Sequence, residues 1–172
     1  RGFSIEISSS VGQRQSQKTD TSDVLRTLVF KGDSDLEFYL PLAKRHILRF
    51  ANHTSFISTP EIYQNELFRF GGLNTQRGFN EQEIFASTYT TFSIEYRFLL
   101  DQNSRAFLFF DQSFYERNSV SYLFDSPYGF GAGFSFATPI GVFSIQYALG
   151  SQQNNPILFK NGKIHFGYIA YF

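Results

Sequence analysis

The stretch "TTFSIEYRFLL", Thr90–Leu100, decides how this chain folds. Phe92, Ile94, Tyr96, Phe98 and Leu100 take alternate positions, and Ser93, Glu95 and Arg97 fill the gaps between them. A repeat of two puts the apolar side chains on one face of a β-strand and the polar ones on the other. The pattern recurs in both directions along the chain. In "GFSIEIS", Phe3, Ile5 and Ile7 oppose Ser4 and Glu6; in "DLEFYLPL", Leu36, Phe38 and Leu40 oppose Glu37 and Tyr39. "ILRFANHTSF" sets Leu48 and Phe50 against Arg49, Ala51 and His53, and "RAFLFFDQSFY" sets Leu108, Phe110 and Phe114 against Asp111 and Ser113. "YGFGAGFSFA" alternates aromatics with glycine, "VFSIQYAL" places Phe143, Ile145 and Tyr147 against Ser144 and Gln146, and "KIHFGYIAYF" ends the chain. No helical period competes.

This reading predicts an all-β chain of eight strands, at 2–12, 23–41, 45–58, 84–100, 104–116, 127–138, 141–150 and 162–172. The connections alternate in length. Short ones fall at "PLAKR", "DQNS" and "TPIG", and long polar ones near 13–22, 59–83, 117–126 and 151–161. Short turns at one end and long loops at the other are the organisation of a transmembrane antiparallel up-and-down β-barrel. A soluble sandwich has no reason to sort its loops in this way.

Composition narrows the classes further. The 172 residues make one domain or a piece of one. Fifteen basic and fifteen acidic residues give zero net charge, with no basic tract to recommend a nucleic-acid partner. The chain has no cysteine, which removes disulfides, thiolate zinc sites and a cysteine nucleophile, and its three histidines are scattered. No signal peptide and no apolar run of helix-spanning length is present. There is no methionine even at position 1, which suggests a processed chain or an excised fragment. Against this stand 23 Phe and 10 Tyr at a mean hydropathy of -0.22, so the apolar residues must be segregated. In a compact soluble domain they would fill a core; in a membrane barrel they face lipid and ring the interfaces. The polar face carries Glu6, Glu37, Arg49, Glu95, Arg97, Arg105 and Asp111 beside Gly131 and Gly133. Packed into a dry core each charge would cost several kcal/mol unless paired, whereas a wet lumen accepts them. Membrane lipids are therefore expected partners, on the outward face.

The long polar connection at 59–83 contains "GGLNTQRGF", Gly71–Phe79. Placed between two barrel strands, it resembles the signature loop of the BamA/TamA superfamily of outer-membrane assembly factors and two-partner-secretion transporters, the bacterial surface antigen family. Members carry Arg-Gly-Phe in an extracellular loop before the fifth strand from the end, and here Arg77-Gly78-Phe79 precede five predicted strands. "FLFFDQS" is similar to the family's Phe-x-Asp-x-Gly strand motif. "PYGFGAGFSFATPIGVFSIQYALG" is similar to its glycine-rich hairpin with a Pro-Ile-Gly turn, and "IHFGYIAYF" to its terminal strand ending in Phe. The resemblance runs the length of the chain in strand order.

The resemblance implies a bacterial outer-membrane location and a loop folded back into the barrel. It also implies that Arg77 pairs with acids of the inner wall; Asp111 stands at the matching motif position and Glu95 on the preceding strand. An arginine fork binds a carboxylate bidentately, where a lysine acts as a point charge. Gly71, Gly72 and Gly78 would let the backbone turn tightly beside the wall. Gly167, Tyr168 and Phe172 correspond to the terminal-strand assembly signal. Three positions depart from the pattern: Ser113 replaces a glycine, Gln76 a small apolar residue and Ala170 a bulky hydrophobe.

Length departs most. Family barrels have sixteen strands preceded by periplasmic POTRA domains, and this chain offers eight strands and no POTRA domain. An open eight-stranded sheet leaves two unpaired edges in hydrocarbon. The chain is expected to be the C-terminal portion of a larger barrel, completed by an N-terminal half; pairing with a second chain, or self-closure as a narrow barrel, are the alternatives. The implied function is insertion or translocation of unfolded outer-membrane or secreted client proteins through a lateral gate or the lumen. The competing reading is a passive channel, or a membrane anchor for a missing passenger or enzymatic domain. No catalytic residue, metal or other cofactor is expected. His46, His53 and His165 are read as isolated polar residues, the aromatics as lipid-facing, and "GFGAG" as strand packing rather than a phosphate loop, since no helix follows it.

Overall fold

The computed structural model describes residues 2–17, 24–101, 103–119, 121–153 and 155–170. In chain order its strands are β1 (Gly2–Gln17), β2 (Val24–Ala43), β3 (His46–Ser58), β4 (Phe68–Phe70), β5 (Ile84–Ala86), β6 (Thr88–Leu99), β7 (Arg105–Asn118), β8 (Tyr122–Asp125), β9 (Tyr128–Thr138), β10 (Gly141–Ser151) and β11 (Lys163–Ala170). The eight long ones form one antiparallel meander, β1-β2-β3-β6-β7-β9-β10-β11. β8 pairs with the end of β7, and β4 pairs with β5 in a separate hairpin. Among the described residues β1 and β11 are not paired with each other, so the sheet ends on two edges. No helix among these residues is long and apolar enough to cross a membrane, so any crossing is made by strands.

Registers fix which side chains share a face. Arg49 lies opposite Glu95, Glu95 opposite Phe109, Phe109 opposite Gly131, and Gly131 opposite Ala148. One position along, Phe50, Ile94, Phe110, Phe130 and Leu149 form the parallel row on the other face. Burial follows the rows: Phe92, Ile94 and Phe110 are 49%, 45% and 43% exposed, while Glu95 and Asp111 are 4% and 0% exposed. The oily residues face out and the ionised ones face in, the arrangement of a lipid-embedded barrel wall around a polar interior. Ile94→Lys should therefore weaken folding into lipid vesicles by about 2–4 kcal/mol near mid-bilayer, whereas Ser144→Lys on the inner face should be nearly neutral. Urea titration of the vesicle-inserted protein measures both.

Several boundaries differ from the sequence expectation. Strand pairing was expected to stop at 12 and resume at 23; β1 and β2 instead stay in register from Gly2↔Tyr39 to Gln17↔Val24. "QRQSQ", Gln13–Gln17, is polar throughout, so it carries no alternation; the backbone ladder extends the strand, and Arg14 ties it to the loop by pairing with Glu66 at 2.7 Å and lying over the Tyr63 ring. The strand expected at 84–100 breaks at Ser87, where Ile84 and Ala86 leave the sheet for a buried cluster beneath the loop. β8 arises within the expected loop 117–126. In the short turn after β6, the Asp101 carboxylate accepts the backbone N–H groups of Asn103 (2.9 Å) and Ser104 (2.7 Å), which hold it below the usual carboxylate range.

The aromatics do not all face lipid, as the sequence had suggested. Phe107 and Phe109 point inward, and Phe70, Phe79, Tyr89 and Tyr115 are buried together beneath the loop. The glycines make this possible. A Cβ on Gly133 would lie 2.5 Å from the Phe107 ring, and one on Gly131 would lie 2.8 Å from that of Phe109. Each ring covers the glycine across the strand.

Candidate functional site

The connection between β3 and β6 folds inward and seats on the wall. β4 and β5 form its stem, where Phe70 stacks on Tyr89 at 4.3 Å. Beyond the stem, Gly71 (φ 116°) and Gly72 (φ 100°) turn the chain through a region that residues with a Cβ rarely adopt. The loop then closes on itself: the Gly72 N–H donates to the Gln76 carbonyl at 2.9 Å and the Gly71 N–H to Thr75 Oγ1 at 2.8 Å. Phe79 joins the aromatic cluster of Phe70, Ile84, Tyr89 and Tyr115. The hairpin is thus held by hydrophobic packing at its base, which leaves its tip to be placed by polar contacts.

Arg77 supplies them. Its Nε and Nη2 donate to the two oxygens of Asp111, each at 2.6 Å, and its backbone N–H reaches the same carboxylate at 3.2 Å. Nη1 donates to Glu95 at 2.7 Å, Nη2 also to Ser93 Oγ at 2.9 Å, and the guanidinium lies 3.6 Å above the Phe109 ring. Asp111 and Phe109 stand two apart on β7, so one inward row delivers both. Glu95 and Ser93 are the same step on β6, one strand over. The fork, its carboxylates and the ring all lie out of water, where a bidentate charged pair is strongest and its loss most costly. Glu95 carries the network onward by accepting from Arg97 Nε at 2.6 Å, and Arg49 pairs with Glu37 further along the wall. Below the loop is a cavity of about 860 Å³ whose lining includes Glu6, Glu37, Arg49, Arg97 and Arg105.

Two of the departures from the family pattern meet here. Gln76 is fully buried; its Oε1 accepts from Ser113 Oγ at 2.5 Å, its Nε2 donates to the Asp111 carbonyl at 3.3 Å, and Ser113 Oγ is also 2.7 Å from Thr91 Oγ1. A glutamine before the arginine thus has a hydroxyl beneath it to bind. Ser113→Ala alone would leave the buried Gln76 carbonyl without that donor, at a cost of about 1–3 kcal/mol, and adding Gln76→Leu should recover part of it. A double-mutant cycle on loop docking reads the coupling.

The structure brings Gly71, Gly72, Arg77, Gly78, Phe79, Glu95 and Asp111 into one constellation. The terminal-strand residues divide. Gly167 faces inward beneath the loop, and Tyr168 faces outward, packs on Phe143 at 4.6 Å and donates to the Ile140 carbonyl at 2.7 Å. Phe172 lies outside the described residues. Ser93 and Phe109 escaped the sequence reading, although alternation with Glu95 and Asp111 placed them on the same face. The floor under the loop, Gly129 and Gly150, escaped it as well: a Cβ there would lie 2.0 Å from the Arg77 carbonyl and 2.7 Å from that of Gly78.

The histidines are not isolated. His46 Nδ1 meets Tyr96 OH at 2.5 Å, and His165 Nε2 accepts the Gly78 N–H at 3.3 Å. His53 lies between Asp35 Oδ1 (2.5 Å) and Tyr89 OH (2.8 Å), with Ser55 Oγ 3.2 Å away. That order of acid, imidazole and hydroxyl looks like a hydrolase triad. Ser55, however, is 1% exposed and donates its proton to Asp33 at 2.7 Å, so the hydroxyl is not reachable and its hydrogen is given to a carboxylate rather than to the imidazole. The cluster ties β2, β3 and β6 together. Among the described residues no group of three or more His, Asp or Glu is arranged to hold a metal ion.

A family model described as the Omp85 superfamily domain matches residues 6–168, nearly the whole chain. No curated protein matches it.

Proposed function

The chain belongs to the Omp85 superfamily, a family of outer-membrane insertion and translocation proteins, and from that premise we propose that it is the C-terminal portion of a barrel that passes client proteins through a lateral gate or its lumen. The observation that carries the reading is a pairing of two features. Arg77 holds an inward loop against Asp111 and Glu95, and β1 and β11 each present an edge without a partner among the described residues. An edge strand offers a row of N–H and C=O groups that hydrocarbon leaves unsatisfied, so it pairs readily with a further strand. In the complete barrel that partner is a strand of the missing half or of a second chain. During insertion, a client strand takes the place by edge pairing. The loop anchor holds the wall in one state until a client displaces it.

Client capture tests this. With a photo-crosslinking residue at Ile169 of β11, the barrel in lipid vesicles should capture an unfolded outer-membrane client during insertion, and the same residue at Ile94 in mid-sheet should not. Equal capture at both places, or at neither, would favour a passive channel or anchor.

A further inference from the structure

We infer that the anchored loop also straps the terminal strand, through Gly78 to His165 and Leu73 to Gly167, and that His165 makes the strap release on protonation. The strap is a matter of contacts and stands apart from the gate; its consequence for client passage rests on the lateral-gate reading above.

The loop leaves its anchor on β6 and β7 and reaches β11 across β9 and β10. Three strand spacings of about 4.8 Å make that span about 14 Å. It succeeds because the floor is glycine: Gly129 and Gly150 admit the backbone of Arg77 and Gly78 at distances a Cβ would block. At the far side the Gly78 N–H donates to His165 Nε2 at 3.3 Å, and both residues are buried. Leu73 covers Gly167, where a Cβ would lie 2.8 Å from Leu73 Cδ2. His165 and Gly167 are inward neighbours on one strand, so the loop touches β11 at two successive inward positions. Among the described residues β11 has one ladder, to β10, from Gly141↔Ala170 to Ala148↔Lys163. The strap is its second attachment, and β11 cannot swing from the wall without breaking it.

The chemistry of the acceptor adds a condition. Nε2 accepts an N–H only through its lone pair, so the ring must be neutral with its proton on Nδ1. An imidazolium donates from both nitrogens and would set N–H against N–H. The charges that reach His165 are Glu81 and Arg77 of the loop, Asp111 of β7 and Lys163 of its own strand. Asp111 is taken up by Arg77, and Glu81 already accepts the Leu73 N–H at 2.6 Å. Burial and the cations Arg77 and Lys163 act against the imidazolium, while Glu81 and Asp111 act for it, each already engaged by another donor. Protonation of the ring would therefore break the contact, which makes it a two-state one in the proton.

The absence of native cysteine makes the test direct. A Leu73→Cys/Gly167→Cys pair in the vesicle-inserted protein should form a disulfide with a mild oxidant at pH 8; failure to form one overturns the strap. Nitroxide labels at Asn74 and Ile169 should report one short distance at pH 8 and a second, longer population at pH 5. In a His165→Gln background, whose amide oxygen accepts the same N–H without titrating, the distance should stay short at both pH values. In His165→Phe it should be long at both. A parental distance unchanged between pH 8 and pH 5 overturns the proton dependence, and a short distance in His165→Phe overturns the hydrogen bond. If the disulfide forms and client insertion continues undiminished, the strap stands and the lateral-gate reading fails.

Discussion

Arg77→Glu is expected to unseat the loop from the barrel wall and to reduce client insertion to background, with partial recovery in Arg77→Glu/Asp111→Arg. The parent arginine faces two carboxylates, Asp111 at 2.6 Å and Glu95 at 2.7 Å, with their side chains nearly or fully buried. A glutamate there would put three acids in one dry site. Breaking a buried pair by altering one partner costs about 3–5 kcal/mol. Each 1.4 kcal/mol is about tenfold, so the docking equilibrium constant should fall by about two to three and a half orders of magnitude. Rescue is partial because the double exchange restores one ion pair with its polarity reversed, yet leaves Glu95 facing an acid on the loop. Arg77→Lys should fall between, since a point charge cannot bind Asp111 through two parallel hydrogen bonds while holding Glu95 and Ser93. A single cysteine at Leu73, labelled with an impermeant maleimide, reads docking, and vesicle insertion reads function. Parental labelling and insertion in Arg77→Glu would end the anchor reading.

Which parts of this were legible in the sequence follows from the range of each signal. Alternation in "TTFSIEYRFLL" and "ILRFANHTSF" is local, so the inward placing of Arg49, Glu95 and Arg97 could be read directly from it. In "RAFLFFDQSFY" four of the first six residues are Phe or Leu, the contrast between faces fades, and Phe107 and Phe109 passed for lipid-facing residues. The β1–β2 extension carries no contrast at all. The remaining features are contacts between distant positions. Gln76 meets Ser113 across 37 residues and Gly78 meets His165 across 87, and each residue taken alone has nothing to announce its partner. Gln76 and Ser113 stood out as two unrelated departures from a family pattern; only the fold shows that one is fitted to the other.

The glycine floor yields the second large effect, because it separates shape from charge. Gly129→Ala leaves every ionised group in place, yet its Cβ would stand 2.0 Å from the Arg77 carbonyl oxygen, far inside contact distance. The obstacle is backbone, not a flexible side-chain end, so either β9 or the loop must move. The strand is held by ladders on both sides, to β7 and β10, and the loop tip is not, so the loop should yield. Lifting Arg77 by even part of an ångström lengthens its bonds to Asp111 and Glu95 together. Overpacking of this kind costs about 1–3 kcal/mol, which predicts about a fivefold to hundredfold rise in maleimide labelling at Leu73→Cys. Gly12→Ala is the control, since nothing lies within 4 Å of the added methyl. If Gly129→Ala labels like the Gly12→Ala control, loop and wall are not in contact in the membrane. If it labels like Arg77→Glu, close approach of the backbone is as much a condition of the anchor as the salt bridge it positions.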